Sequence, residues 1–399
     1  MKKYAITISI LLFLLLVGAG YFFSSNSKIT TSESPPFSES DVKAPTSLAD
    51  QSRNNTGLPL EIPPGFSVSI LARNLSGARV VEFDSQENLL VSRPDAGVIT
   101  LLSTQGDGTI KRTDILKNLQ KPHGLAIDPD DSNILYFAEE NRISKVRLNP
   151  IGIPQKIADL PSGAGHDKRT IIFGPDKKLY VAIGSSCNVC AERDGRRAKI
   201  FSINKDGSDF QEVATGLRNA PFLTVNPETG KIWTTEMGRD FLGDNLPPDE
   251  INILDPTAAP APNYGWPFCY GKNVHDNDFD PRNATSCSDK TPSFIDIPAH
   301  SAPLGLAFVS EDSNWPVEYR GNLIVAYHGS WNRSVPTGYK IVRHKFDSAG
   351  NYLGAEDFLS GWLQGRSVSG RPVDIKFRNG IMYVSDDKSG VIYKIEYKS

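Results

Sequence analysis

The sequence predicts an all-β chain folded as a six-bladed β-propeller, preceded by an N-terminal transmembrane anchor or signal segment. Three observations carry the prediction. One phrase recurs six times: a short apolar strand, a turn, a second apolar strand, a polar loop and an alternating third strand. Its turns are Asp-Pro, Pro-Asp and Asn-Gly steps, the usual punctuation of period-two strands. The 33 glycines and 28 prolines are spread along the chain, as many short strands joined by turns require.

The elements follow in order. Lys2 and Lys3 precede an uncharged apolar run over residues 4–23. A membrane-crossing helix needs ~20 such residues. The lysines would stay cytoplasmic, so everything beyond residue 23 would be exported. The run is long for a signal-peptide core and no clean small-x-small site follows it, so an anchor is preferred to a cleaved signal over 1–23. Residues 24–57 are Ser, Thr, Asn, Pro and Asp with few large apolar side chains, and read as a flexible linker. Residues 58–399 form the propeller domain.

Within that domain the repeats begin at Val80, Leu125, Ile171, Leu223, Leu306 and Val373. A spacing of about 45 to 60 residues fits propeller blades rather than a sandwich. Length alone suggests two or three domains, but six blades close into one ring. The segment FSVSILA, Phe66–Ala72, is placed as an outer strand of the last blade that locks the ring. An insertion over 255–300, rich in Pro, Asn, Asp and aromatic residues, lies over one face.

A formal charge of −3 leaves no basic excess for neutralising phosphates, which argues against a nucleic-acid binder. The four cysteines suit an oxidising compartment. Of three possible pairings, Cys187 with Cys190 and Cys269 with Cys287 is the most local and is preferred. A zinc site would need a second close pair, which 269 and 287 do not supply.

The loops entering the innermost strands read SGARVV, KPHGLA, GHDKRTI, LRNAPFL, HSAPLGL and SGRPVDI. They place Arg79, His123, His166 with Arg169, Arg218, His300 and Arg371 at equivalent positions on one rim. Clustered cations repel one another unless an anion sits among them. Arginine forks suit carboxylates or phosphates, so a ligand with several carboxylates is expected there. The loops after the second strands face the same rim and add Arg93, Glu139, Glu236 with Gly238 and Arg239, His328 with Asn332 and Arg333, and Asp386. The fourth of these, TTEMGRDFLGDNLPPDEIN, is acidic and suits a hard cation such as calcium.

The strings GHDKRTIIFGPDKKLYVAIG, GLRNAPF and EMGRD…DEIN…NYGWP resemble the glucose/sorbosone dehydrogenases that use pyrroloquinoline quinone (PQQ). The later HSAPLGLAF, HGSWNR…GYKIVR and GRPVDI…YVSDD are similar to the sorbosone and pyranose dehydrogenase branch. The resemblance covers roughly residues 60 to 397 in order. It implies a PQQ- and calcium-dependent oxidation of a sugar, aldose or sorbosone-like aldehyde, with an external electron acceptor. His166 matches the base that takes the substrate hydroxyl proton. Arg218, Asn219 and Arg371 match residues that contact the cofactor. Gly238 and Arg239 match positions whose carbonyls hold a calcium, and Glu250 and Tyr264 match ligands of a second one. Arg79, His123, Arg169, His328 and Arg333 complete the expected cofactor contacts, with His328 or Arg333 taking the place of a family lysine. Ala220, Pro221 and Phe222 replace a family glutamine, and Val373 a second arginine, which moves the expected substrate away from glucose.

Two other functions compete. A metal-dependent lactonase would need several carboxylates and Asn around one ion. A non-catalytic cell-surface propeller remains open because fold alone does not fix function.

Overall fold

The computed structural model describes residues 53–398, and the anchor or signal segment and most of the linker lie outside them. Among the described residues there is no α-helix, only strands, turns and two 3-10 turns. Six sheets form the blades, each with four antiparallel strands running from innermost to outermost. Their innermost strands are Val81–Phe83, Leu125–Ile127, Ile171–Phe173, Leu223–Val225, Pro303–Phe308 and Pro372–Arg378. Each neighbours the next in this order and the sixth returns to the first, so the ring closes at six blades.

The second strands explain why their sequences read as unbroken apolar runs. LYVAI over Leu179–Ile183, IWTTE over Ile232–Glu236 and LIVAY over Leu323–Tyr327 are buried at every residue. Flanking blades cover both faces of these strands, so polar alternation has no solvent side to serve. The outermost strands meet water instead. IKRTDIL over Ile110–Leu116 and QEVAT over Gln211–Thr215 carry charges, and each pairs through a register shift that interrupts the edge.

Phe66–Ala72 pairs antiparallel with Val391–Tyr397 of the sixth blade, the ring-locking role expected from its sequence. Two boundaries need correcting. Residues 53–57 are not tether: Arg53–Asn54 pairs parallel with Ser67 and Val68, and Thr56 is buried. The Asn54 side chain caps that turn through Leu58 and Leu60 carbonyls, a local device invisible in a Ser/Asn-rich composition. The insertion over 255–300 is not only a loop, because Ile295–Ile297 within it is the fourth strand of blade four. The rest is pinned by Cys269–Cys287, and Cys187–Cys190 closes a turn in blade three, both as expected.

Candidate active site

One end of the tunnel opens into a cavity of about 330 Å³ lined by fourteen residues, among them His166, Arg218, Asn219, Gly238, His300, His328 and Arg371. Four of the six blade-entry loops and two of the loops that follow second strands deliver these groups, whereas the aligned segments predicted a contribution from every blade.

His166 is held through one ring nitrogen. Its Nδ1 lies 3.0 Å from Ser185 Oγ and 3.2 Å from the Ser185 carbonyl, while Ser185 Oγ itself donates to the Cys187 carbonyl. With Oγ so committed, Nδ1 is the donor, and the tautomer leaves Nε2 as the acceptor. Burial, with Arg218 and Arg169 nearby, lowers the imidazole pKa to about 3. The ring is therefore neutral at working pH. Gly184 makes room for it: a Cβ there would sit 2.6 Å from His166 Cβ and 3.1 Å from Asn219 Oδ1.

Arg218 is buried and heavily committed. Nε and Nη2 bond the carbonyl and side-chain oxygens of Asn188 at 2.9 Å each. Nη1 reaches the Met237 and Gly238 carbonyls at 3.2 and 3.0 Å, and Nη2 pairs with Asp240 at 3.1 Å. Arg371 spends Nε on the His328 carbonyl and Nη2 on Gly329, and it lies over the Tyr339 ring. His328 Nε2 lies 3.0 Å from Asp387, which also pairs with Arg79 at 2.8 Å. Burial drives the His328 pKa down to about 4 despite that carboxylate.

These contacts refine the expected electrostatics. The entry loops read as a ring of cations awaiting an anionic ligand, with Glu139, Glu236 and Asp386 as the acids of the rim, yet it is Asp240 and Asp387 that pair with the cations, and Asp249 also lines the cavity. Sequence reasoning missed all three. Asp386, which was placed at the mouth, is fully buried and caps the backbone of Arg371, Lys388 and Ser389. Its neighbour Asp387 faces the cations instead, a one-residue phase choice that composition cannot make.

Several other expected contacts lie elsewhere. Arg169 is fully buried and clasps the carbonyls of Pro161, His166 and Lys168, so it supports the loop that carries the base. His123 is likewise fully buried against Phe222, with Nδ1 near Thr170 Oγ1. Arg333 bonds the Ala299 carbonyl and Asn245 outside the cavity, and Arg79 sits behind Asp387. Asn188 was not anticipated. The C-x-x-C turn that encloses it was the available signal.

The residues matched to two separate calcium sites border one space. Gly238, Arg239, Glu250 and Tyr264 all line a second cavity of about 20 Å³, beside Arg218. Glu236 joins them at the end of the buried IWTTE strand, with Oε1 accepting the Asn219 N–H and Oε2 unpartnered. Burial raises the pKa values of Glu236 and Glu250. Asn252 donates to Glu250 and leaves its own buried Oδ1 unpartnered. The Arg239 side chain turns away to Asp276 of the insertion.

Residues 60–398 match the sequence profile of a family described as TrAA12-like. An uncharacterised protein of Borreliella burgdorferi is 34% identical, with the alignment covering 85% of this chain and 91% of that one. A pyrroloquinoline quinone-dependent sugar dehydrogenase of Hypocrea jecorina is 24% identical over 83% of this chain and 88% of its own. The holo PQQ domain of Coprinopsis cinerea pyranose dehydrogenase superposes with a TM-score of 0.73 at 21% identity, covering 86% of this chain and 99% of that domain. At that identity the likeness is one of fold.

Proposed function

The chain belongs to the TrAA12-like family, and from that premise we propose that it is a PQQ-dependent oxidoreductase that oxidises a sugar at the tunnel mouth. The observation that carries this is His166: a neutral imidazole with Nδ1 fixed and Nε2 left as the acceptor, in one cavity with Arg218, Asn219 and Arg371. Such a group can take a hydroxyl proton without first losing one of its own.

The residues present fit the cofactor. The cavity is of ligand size. Arg371 Nη1 has no protein partner among the described residues, and the buried Asn332 Oδ1 is also unpartnered. Arg371 supplies positive charge for carboxylates, with Arg79 one layer back behind Asp387, while Asn219 lies beside the base. When bound, PQQ supplies the acceptor for a hydride from the substrate carbon. His166 holds the sugar hydroxyl at Nε2 and receives its proton. Arg218, locked by Asn188 and Asp240, keeps that wall of the cavity in place. Turnover would require an external electron acceptor.

Calcium fits the small cavity best. Glu236 and Glu250 offer carboxylate oxygens there, and the buried Glu236 Oε2 has no partner. At the mouth, the Gly238 carbonyl already accepts from Arg218, so a cation there would face a guanidinium. Two disulfides support placing the domain outside the cytoplasm.

A lactonase-type centre has less support. Among the described residues no three His, Asp or Glu side chains lie close enough to share one ion, and the one cluster of metal-ligating side chains, Cys187, Cys190 and Glu192, has both sulfurs tied up in a disulfide.

The test is reconstitution with PQQ and calcium, followed by dye-linked oxidation across aldoses and sorbosone-like aldehydes. Turnover is expected, and His166→Ala should lower kcat by about 10²–10⁴-fold, the usual worth of a general base, with PQQ still bound. An unchanged rate in His166→Ala would remove the residue from the chemistry.

A further inference from the structure

The loop after the second strand of blade four and the equivalent loop of blade five meet above the cavity. Asn332 Nδ2 donates to Asp240 at 2.8 Å, Arg333 Nη2 to Asn245 at 3.1 Å and Ser334 N to Asp244 at 3.0 Å. This braced frame displays two aromatic side chains to solvent, Phe241 at 69% exposure and Trp331 at 68%. Their rings meet edge to face with centroids 5.9 Å apart. Trp331 is also a wall of the His166 cavity, so the pair continues that cavity outward.

Phe241 carries a second peculiarity. Its backbone has φ of 72°, a left-handed conformation that bulky side chains rarely adopt. A strained, exposed aromatic gains nothing from the core, and such strain collects where a ligand is gripped. The surroundings name the ligand's chemistry. Asp240, Asp244 and Asn245 lie in the same two loops as the rings. An apolar partner or a bilayer would desolvate those oxygens without pairing them. A saccharide pairs them with hydroxyls and lays its C–H face on one ring with the perpendicular ring at its edge.

We propose that Trp331 and Phe241 form a platform for a sugar ring beyond the one presented to His166, so that the substrate is a saccharide of two or more rings. The proposal rests on the oxidative function above, but its test does not.

Calorimetric and fluorescence titrations would compare glucose and xylose with cello- and xylo-oligosaccharides, on the protein as purified and after loading with PQQ and calcium. Trp331 is the most exposed of the five tryptophans, so its emission reports the contact directly. Binding should tighten about tenfold or more from one ring to two, the scale of one added aromatic contact together with its paired hydroxyls. Phe241→Gly, which lies outside the His166 cavity, should abolish that gain and leave monosaccharide affinity unchanged, and Trp331→Ala should abolish it as well. Glycine tolerates the positive φ, so Phe241→Gly should fold at least as stably as the parent. Equal affinity for one and two rings in both preparations would overturn the platform. So would a gain that survives Phe241→Gly, or vesicle binding lost in that variant with no saccharide gain. Tight oligosaccharide binding without oxidation would instead defeat the dehydrogenase function and leave the platform standing.

Discussion

His166 owes its usefulness as a base to what surrounds it more than to being an imidazole. An ordinary histidine is half protonated near 6.5, and here burial and two arginines lower that to about 3. A base held this low is always available but pulls weakly on a proton. Binding a cofactor with several carboxylates beside it would reverse the sign of the local field and raise the pKa toward its ordinary value. NMR titration should therefore show a His166 ring that stays neutral from pH 8 to 5 in the cofactor-free protein and titrates at higher pH once PQQ is added. A normal titration in the free protein would contradict the buried, Ser185-bound geometry. The same shift has a stability consequence. The unfolded chain takes up a proton below its ordinary pKa while the native ring does not, so this histidine's contribution is complete above 6.5 and is lost as pH falls toward 3. Residues of this kind were partly legible. The G-H-x-x-R string picked out His166 correctly, but Arg169, three positions on, was assigned the same face and lies fully buried. A loop without regular period gives no phase to decide which side chains face in.

Among the elements, the turn closed by Cys187 and Cys190 links base and arginine. Ser185 and Cys187 orient His166, and Asn188 inside the turn holds both Arg218 and Asp240. The other disulfide spans a longer loop in the insertion, with a sequence separation of 18 against 3. Cross-links restrain the unfolded chain more when they close longer loops. Replacing Cys269 and Cys287 by Ser should therefore lower Tm more than replacing Cys187 and Cys190. The order should reverse for PQQ affinity and kcat, where loss of the short turn is the more damaging. Thermal scans beside steady-state kinetics on the two double variants check both halves, and the same order in both would deny the turn its positioning role. The pairing itself was readable because local bridges are geometrically easy. The role of Asn188 was not, since it depends on contacts 30 and 52 positions away.

For the whole molecule, closure depends on a strand from one terminus completing a blade from the other. Phe66 on that strand is 1% exposed and meets Trp315, Tyr319, Phe358 and Tyr397 with ring centroids 4.8 to 5.1 Å apart. Phe66→Ala should cost about 3–5 kcal/mol of unfolding free energy, as large-to-small changes in packed cores do. Urea titration measures it, and a loss within experimental scatter would show that the ring closes without this clasp. The ring was the most legible feature because period-two strands and turn residues repeat blade by blade at Val80, Leu125, Ile171, Leu223, Leu306 and Val373. Its electrostatic character was less so. Aligned cations could be read from repeat register, whereas Asp240 and Asp387 fall in loops of unequal length that register does not align. They show that the mouth is only partly an anion trap: the protein neutralises some of its own arginines, and a bound carboxylate must compete with Asp387 for Arg79 and with backbone carbonyls for Arg371.

That competition makes cofactor binding the decisive quantity. Titrating the purified protein with PQQ, with and without calcium, and following the quinone absorption tests it directly. Saturable binding at one site per chain is expected, weakened in Arg371→Ala and bleached by addition of an oxidisable sugar only when His166 is intact. A spectrum that stays that of free PQQ at every concentration, with calcium present and the protein folded, would contradict the assignment.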